Sequence, residues 1–212
     1  MKDVRLDGIS WLSFIDGSGE WYCGRSFGSG DLYEAQELAE SGRMPSGDEL
    51  KLVHWPDGAV YTPFERREGV CFGNVVCCDH RIYILSVCFV ERKIRIHTFD
   101  CGTKEVCAAA EILLDAVEDC YNLRLIAAPA TLCRSGKDSR VDILWPEQSS
   151  FRTDSHESLF LRESGRLYLS CWYEDPDYRE DIIARDLHDG RIIEQILGDI
   201  RIMPDGALWH IY

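Results

Sequence analysis

From residue 70 to residue 99 the chain runs through three apolar segments, each too short for a helix of ordinary length and each ended by a pair of turn-forming residues. The segments are 70–78, 81–90 and 93–99, with Asp79-His80 and Glu91-Arg92 between them. Connections this short join strands only in antiparallel pairs, because parallel strands need a crossover of about a dozen residues or more. A fourth strand over 104–108 follows the turn Asp100-Cys101-Gly102-Thr103, so the stretch is a four-stranded antiparallel meander. The same order recurs at 157–162, 166–173, 181–186 and 191–197, with turns at Ser164-Gly165 and His188-Asp189-Gly190.

The recurrence has a period. Comparable strand starts fall at Arg81, Asn122, Gly165 and Gly206, a spacing of about 42 residues, which suits a unit of four short strands. The outer hairpins also align, Phe99-Asp100-Cys101-Gly102-Thr103-Lys104-Glu105-Val106 with Arg185-Asp186-Leu187-His188-Asp189-Gly190-Arg191-Ile192. The segment Ala184-Arg185-Asp186-Leu187-His188-Asp189-Gly190-Arg191 resembles the outer strand-turn-strand of PQQ-type and other non-WD β-propeller repeats. The resemblance covers 70–212 better than 1–69, and no Trp-Asp dipeptide ends a repeat. It implies an all-β fold, a β-propeller-like array of four-stranded antiparallel blades forming a single domain over 1–212. Chain length divided by the period favours five blades over four. The strand-like segments 4–6 and 9–14 are expected to pair with 207–212 and close the last blade. Closure has a physical motive, since a strand such as 82–90 is apolar at both parities and needs cover on both faces. A β-sandwich or curved open sheet shares the short strands but requires no period.

Two segments depart from the strand pattern. Residues 31–41 read as a short helix, with acidic residues in the first turn and Gly42 as the stop. Within 105–120, the run Ala108-Ala109-Ala110-Glu111-Ile112-Leu113-Leu114 fits either a helical turn or a connection between sheets.

With 37 acidic against 23 basic residues, the formal net charge is −14. That balance argues against nucleic acid and anionic membrane surfaces as partners, both of which need clustered Lys and Arg. No apolar run of signal-peptide length follows Met1, and no stretch approaches the roughly 20 apolar residues that span a bilayer. A cytoplasmic protein is the expectation. Its ten cysteines then read as reduced thiols packed as small hydrophobes, without the paired knuckles of a zinc site. Cys77 and Cys78, being adjacent, point to opposite faces of a strand. A two-residue turn at Asp79-His80 would place Cys71 opposite Cys88. No cofactor is expected.

Candidate ligand residues gather in Cys171-Trp172-Tyr173-Glu174-Asp175-Pro176-Asp177-Tyr178, where rings stand beside carboxylates at a strand end. Rings with acceptors suit sugars or cations. Trp145-Pro146-Glu147 and Asp31-Leu32-Tyr33-Glu34 share the pattern. For each, the plain alternative is an acidic surface turn. The ligand-binding set is therefore Trp172, Tyr173, Glu174, Asp175, Asp177, Tyr178, Trp145 and Glu147, exposed in part if they serve a ligand. Catalytic patterns are thinner. The six histidines are scattered, no G-x-S-x-G elbow occurs, and Gly28-Ser29-Gly30 precedes a helix that Asp31 caps. Asn74, Glu157 and Asp199 make no defined catalytic pair. The expected function is a binding module for a protein or small-molecule partner; a carboxylate-based, glycosidase-like hydrolase is the alternative.

Overall fold

The computed structural model describes residues 3–127, 129–154, 156–163, 165–174, 177–203 and 207–212. Two compact units divide the chain, the first ending at Tyr121 and the second beginning at Asn122. In the first unit, β1 (Ser13–Phe14), β2 (Trp21–Arg25), β3 (Leu50–His54) and β4 (Val60–Tyr61) pair in chain order, with helix α1 (Leu32–Glu40) inserted between β2 and β3. A second sheet follows from β5 (Val70–Cys78), β6 (Arg81–Cys88), β7 (Lys93–Asp100) and β8 (Val106–Leu113). The second unit contains β9 (Leu123–Ile126), β10 (Thr131–Gly136), β11 (Arg140–Trp145) and β12 (Ser149–Arg152), then β13 (Glu157–Glu163), β14 (Arg166–Tyr173), β15 (Arg179–Asp186) and β16 (Ile192–Leu197). The hairpin of β17 (Asp199–Ile202) and β18 (Leu208–Ile211) completes it.

Each sheet is an antiparallel meander of chain neighbours, so the protein is all-β and propeller-like, as its strand pattern implies. Among the described residues, four of the five sheets are four-stranded and the last has two strands. Among the described residues, β1 pairs with β2 and β18 with β17; the pairing of the two terminal strands expected from the sequence is not among the ladders. Of the strand-like segments 4–6 and 9–14, only Ser13–Phe14 joins a sheet.

The repeat is less regular than 42 residues. Sheets open at Ser13, Val70, Leu123, Glu157 and Asp199, because α1 lengthens the first unit of the series and the 3-10 turn Leu114–Ala116 lengthens the second. Arg81 and Gly165 mark equivalent second strands, whereas Asn122 precedes a first strand. The alanine run resolves into β8, longer than the strand expected over 104–108.

Helix α1 forms where its caps allow. The Asp31 carboxylate accepts from the backbone N–H of Tyr33 at 2.8 Å and of Glu34 at 3.2 Å, while the Glu34 carboxylate accepts from Asp31 N–H at 2.6 Å. This capping box consumes the acidic first turn read from the sequence.

Apolar residues at both parities are explained by face-to-face stacking of neighbouring sheets. In the first unit, Ile15, Trp21, Leu50 and Leu52 pack against Phe72, Ile82, Ile84 and Phe99. In the second, Ile126, Val141, Ile143 and Phe151 meet Leu159, Leu167, Leu169 and Leu187 on one face of the β13–β16 sheet. Its other face, with Leu161, Tyr168, Ile182 and Ala184, is covered in part by Ile200 and Ile202 of β17. Each such side chain, fully buried, contributes roughly 1.5–3 kcal/mol.

One register expectation fails. Cys78 pairs with Arg81 and Cys77 with Ile82 across the two-residue turn, but a bulge between Phe72 and Val75 shifts the ladder by one. Cys71 then faces Val87 and Cys88 faces Val70, so the two cysteines are not opposite each other. Gly73 permits the bulge: a Cβ there would lie 2.5 Å from the Leu85 side chain.

Candidate functional site

The ring-and-carboxylate segment occupies the turn end of the β14–β15 hairpin. Tyr173 pairs with Arg179 and Trp172 with Glu180, and Glu174, Asp177 and Tyr178 lie between the two strands. Residues directly opposite in a ladder share a face. Accordingly the Arg179 guanidinium lies 4.3 Å from the centre of the Tyr173 ring. Trp172, 38% exposed, is met edge-on by His156 at 4.6 Å. Tyr178, 69% exposed, donates its hydroxyl to Glu180 Oε1 at 2.7 Å, and that bond raises the phenol pKa. The Tyr173 phenol is pushed up to about 12 by its hydrogen bond with Cys171 and by burial. Glu174 and Asp177 are exposed. Asp175 lies outside the described residues.

Asp181, opposite Cys171 in the ladder, is buried and accepts from Gln195 Nε2 at 2.8 Å. The hairpin end therefore presents rings and carboxylates together, and one ring face already holds a cation. This is chemistry for a guanidinium or ammonium group.

Trp145 and Glu147 stand apart from that cluster in the fold. Trp145 ends β11 opposite Leu132, at a register shift in the β10–β11 ladder. Glu147 is bound to Arg162 through both Nη nitrogens of the guanidinium, and Arg162 Nη1 also donates to Thr131 Oγ1 at 3.0 Å. That pairing holds the β11–β12 connection to β13 and commits the carboxylate internally. The Asp31-Tyr33-Glu34 segment is likewise spent on the helix cap, with Tyr33 edge-on to Tyr121 at 5.0 Å.

Sequence reasoning missed a cleft on the β5–β8 sheet. Its cavity of about 330 Å3 is lined by Phe64, Phe72, Ser86, Glu91, Arg95 and His97 among others. Ser86 Oγ and His97 Nε2 are 3.0 Å apart, and Phe64 packs edge-on to the imidazole at 4.8 Å. Burial, with Arg95 nearby, lowers the His97 pKa and favours the neutral ring. Arg95 itself is tied to Glu91 and, at 2.9 Å, to Glu111. A neutral imidazole against a serine hydroxyl is a nucleophile-base pair without the third group that orients the base. Among the described residues, no carboxylate is hydrogen-bonded to this ring, which Phe64 positions instead. Strand parity was a partial signal: Ser86 and Cys88 share a face of one strand and Arg95 and His97 a face of the next, but only the register of the β6–β7 ladder, with Ser86 opposite Arg95, makes those faces the same.

No family model matches the chain, and no curated protein is similar to it. Among solved structures it is similar to a chain in the crystal structure of a mitotic checkpoint complex, at 9% identity and a TM-score of 0.48 over 91% of this chain. This chain spans about half of that one, 52% of its length.

Proposed function

We propose that the protein is a propeller-like interaction module that takes a basic segment of a protein partner at the β14–β15 hairpin end. The observation that carries this reading is the exposure of Trp172 and Tyr178 beside Glu174, Asp177 and Glu180, with Arg179 already over the neighbouring Tyr173. Exposed rings are costly to leave in water and are the residues that most often anchor interfaces. The carboxylates around them select for positive charge. Affinity purification with the whole chain as bait, followed by titration of the captured partner, tests the site. Trp172→Ala and Tyr178→Ala are each expected to weaken binding about tenfold, equivalent to about 1.4 kcal/mol, and 0.5 M salt to weaken it further. Unchanged affinity in both variants would remove this site from the proposal.

A second reading rests on the Ser86-His97 cleft, whose volume suits a small molecule. A carboxylate-based hydrolase needs two acids about 5–9.5 Å apart; of the two acids that line this cleft, Glu65 and Glu91, the second is committed to Arg95. The cleft is thus better matched to holding a ligand than to glycoside hydrolysis. A thermal-shift screen against sugars, nucleotides and amines, repeated with His97→Gln, separates the readings. A ligand whose stabilisation disappears in that variant supports the cleft.

A further inference from the structure

A buried serine hydroxyl needs a hydrogen-bond partner, and His97 supplies one: Ser86 is 3% exposed, and its Oγ lies 3.0 Å from His97 Nε2. Sealed inside a core, such a pair would serve packing alone. Here both residues line a cleft of about 330 Å3. Ser86 stands opposite Arg95 in the β6–β7 ladder and His97 opposite Ile84, which makes Ser86 and His97 diagonal neighbours on one face. Rings fix the imidazole: Phe64 meets it edge-on at 4.8 Å and packs on Phe72 at 5.2 Å. A serine oxygen is thus held against an imidazole nitrogen where a bound molecule can reach them.

The rest of the lining narrows what that molecule is. Two carboxylates, Glu65 and Glu91, face two guanidiniums, Arg67 and Arg95, so their charges balance. Phe64 and Phe72 add an apolar wall. The volume falls at the small end of ligand cavities, which span about 300–1,000 Å3, and such a lining suits a small neutral molecule. Arg95 bonds Glu111 through Nε and Glu91 through Nη2, and its Nη1 has no protein acceptor among the described residues. A positive group with a donor to spare therefore stands opposite Ser86.

We propose, on the reading of this cleft as a ligand site, that Ser86 is a nucleophile acylated by small neutral esters, with His97 as its base. In the tautomer protonated at Nδ1, His97 Nε2 accepts the Ser86 proton as Oγ attacks the carbonyl carbon. Negative charge develops on the carbonyl oxygen, and Arg95 supplies the positive charge on this face. The adduct collapses, the bond from carbon to the alcohol oxygen breaks, and the alcohol leaves with the proton from His97. Water then gives a proton to His97 and its oxygen attacks the acyl carbon; the bond to Ser86 Oγ breaks, and Oγ takes the proton back. The sum is ester and water to acid and alcohol, with the chain unchanged.

The full chain is treated with diisopropyl fluorophosphate, whose phosphorus takes Ser86 Oγ as fluoride leaves, and the adduct is mapped by mass spectrometry. Labelling on Ser86 is the expected result, and it needs no variant. Hydrolysis of para-nitrophenyl acetate should exceed the buffer rate, Ser86→Ala should remove the excess, and His97→Gln should lower it about 100-fold; melting curves report that both variants fold. The proposal is overturned if the folded chain gives no adduct on Ser86, if the acetyl group is found on Cys88 instead, or if hydrolysis persists in folded Ser86→Ala. A thermal-shift titration with para-nitroacetanilide, the amide counterpart, separates the chemistry from the cleft itself. Stabilisation by the amide without labelling of Ser86 overturns acyl transfer and leaves the ligand site standing; neither stabilisation nor labelling removes both.

Discussion

The β5–β8 and β13–β16 sheets are built on one plan and finished differently. In both, the turn between the last two strands is organised by an aspartate: Asp100 accepts from Gly102 N–H at 2.9 Å, and Asp186 from His188 N–H at 2.9 Å. Both turns close by the same pair of backbone bonds, Lys104 N–H to Asp100 O at 2.8 Å and Asp100 N–H to Glu105 O at 3.0 Å, matched by Gly190 to Asp186 at 3.0 Å and Asp186 to Arg191 at 2.9 Å. At the left-handed position, however, one sheet has Lys104 (φ 66°) and the other Gly190 (φ 70°). A Cβ on Gly190 would come within 2.3 Å of the Phe151 ring, whereas the Lys104 ammonium lies 4.8 Å from Trp21 and 5.2 Å from Tyr61. The turn is thus set by local chemistry, and the residue at its tightest point is set by the sheet stacked beside it. The same contrast places Cys101 where the second sheet has the buried Leu187; each donates its N–H across the sheet at 3.0 Å, Cys101 to His80 O and Leu187 to Gly165 O.

The largest effect expected within this comparison comes from an element that the second sheet has and the first lacks. Glu157 and Arg185 form a buried two-bonded pair at 2.6 and 2.7 Å, and Arg185 also donates to Gly190 O at 2.7 Å. Glu157→Ala should cost about 3–5 kcal/mol, because it strands a buried cation; urea denaturation measures it, and a loss below 1 kcal/mol would show the pair to be dispensable.

Gly190→Ala comes next. A methyl forced into the ring of Phe151 at positive φ should cost about 2–4 kcal/mol, while Lys104→Gly should stay within about 1 kcal/mol, since relief of φ offsets the lost cation-ring contact. Equal effects in the two turns would break the comparison. A smaller effect is expected at His97. Its folded pKa is lowered, so the unfolded chain takes up the proton first; stability is full above the ordinary histidine range and falls as pH drops through it. Chemical denaturation from pH 7.5 to 5 should show that slope, and His97→Gln should flatten it. The smallest stability changes belong to Trp172→Ala and Tyr178→Ala, within about 0.5 kcal/mol despite their expected loss of binding; a larger drop in melting temperature would make those rings structural.

Much of the strand order was legible because it is local. Alternation and two-residue turns locate β5, β6 and β14 closely, and Asp31 with Glu34 announces its helix in four letters. The candidate site was legible only in part. Trp172, Tyr173 and Tyr178 stay together because a single hairpin carries them, while Glu147 goes to Arg162, fifteen residues along the chain, which no spacing rule would select.

Sequence by itself determined that this chain makes short antiparallel meanders, since hydrophobic period and turn chemistry act over a few residues. Tertiary structure alone decided which sheets bury which faces, where a one-residue bulge separates Cys71 from Cys88, and that Ser86 meets His97. Those outcomes depend on register and on the neighbouring sheet, where a shift of one position reverses every side chain and no local pattern records the choice.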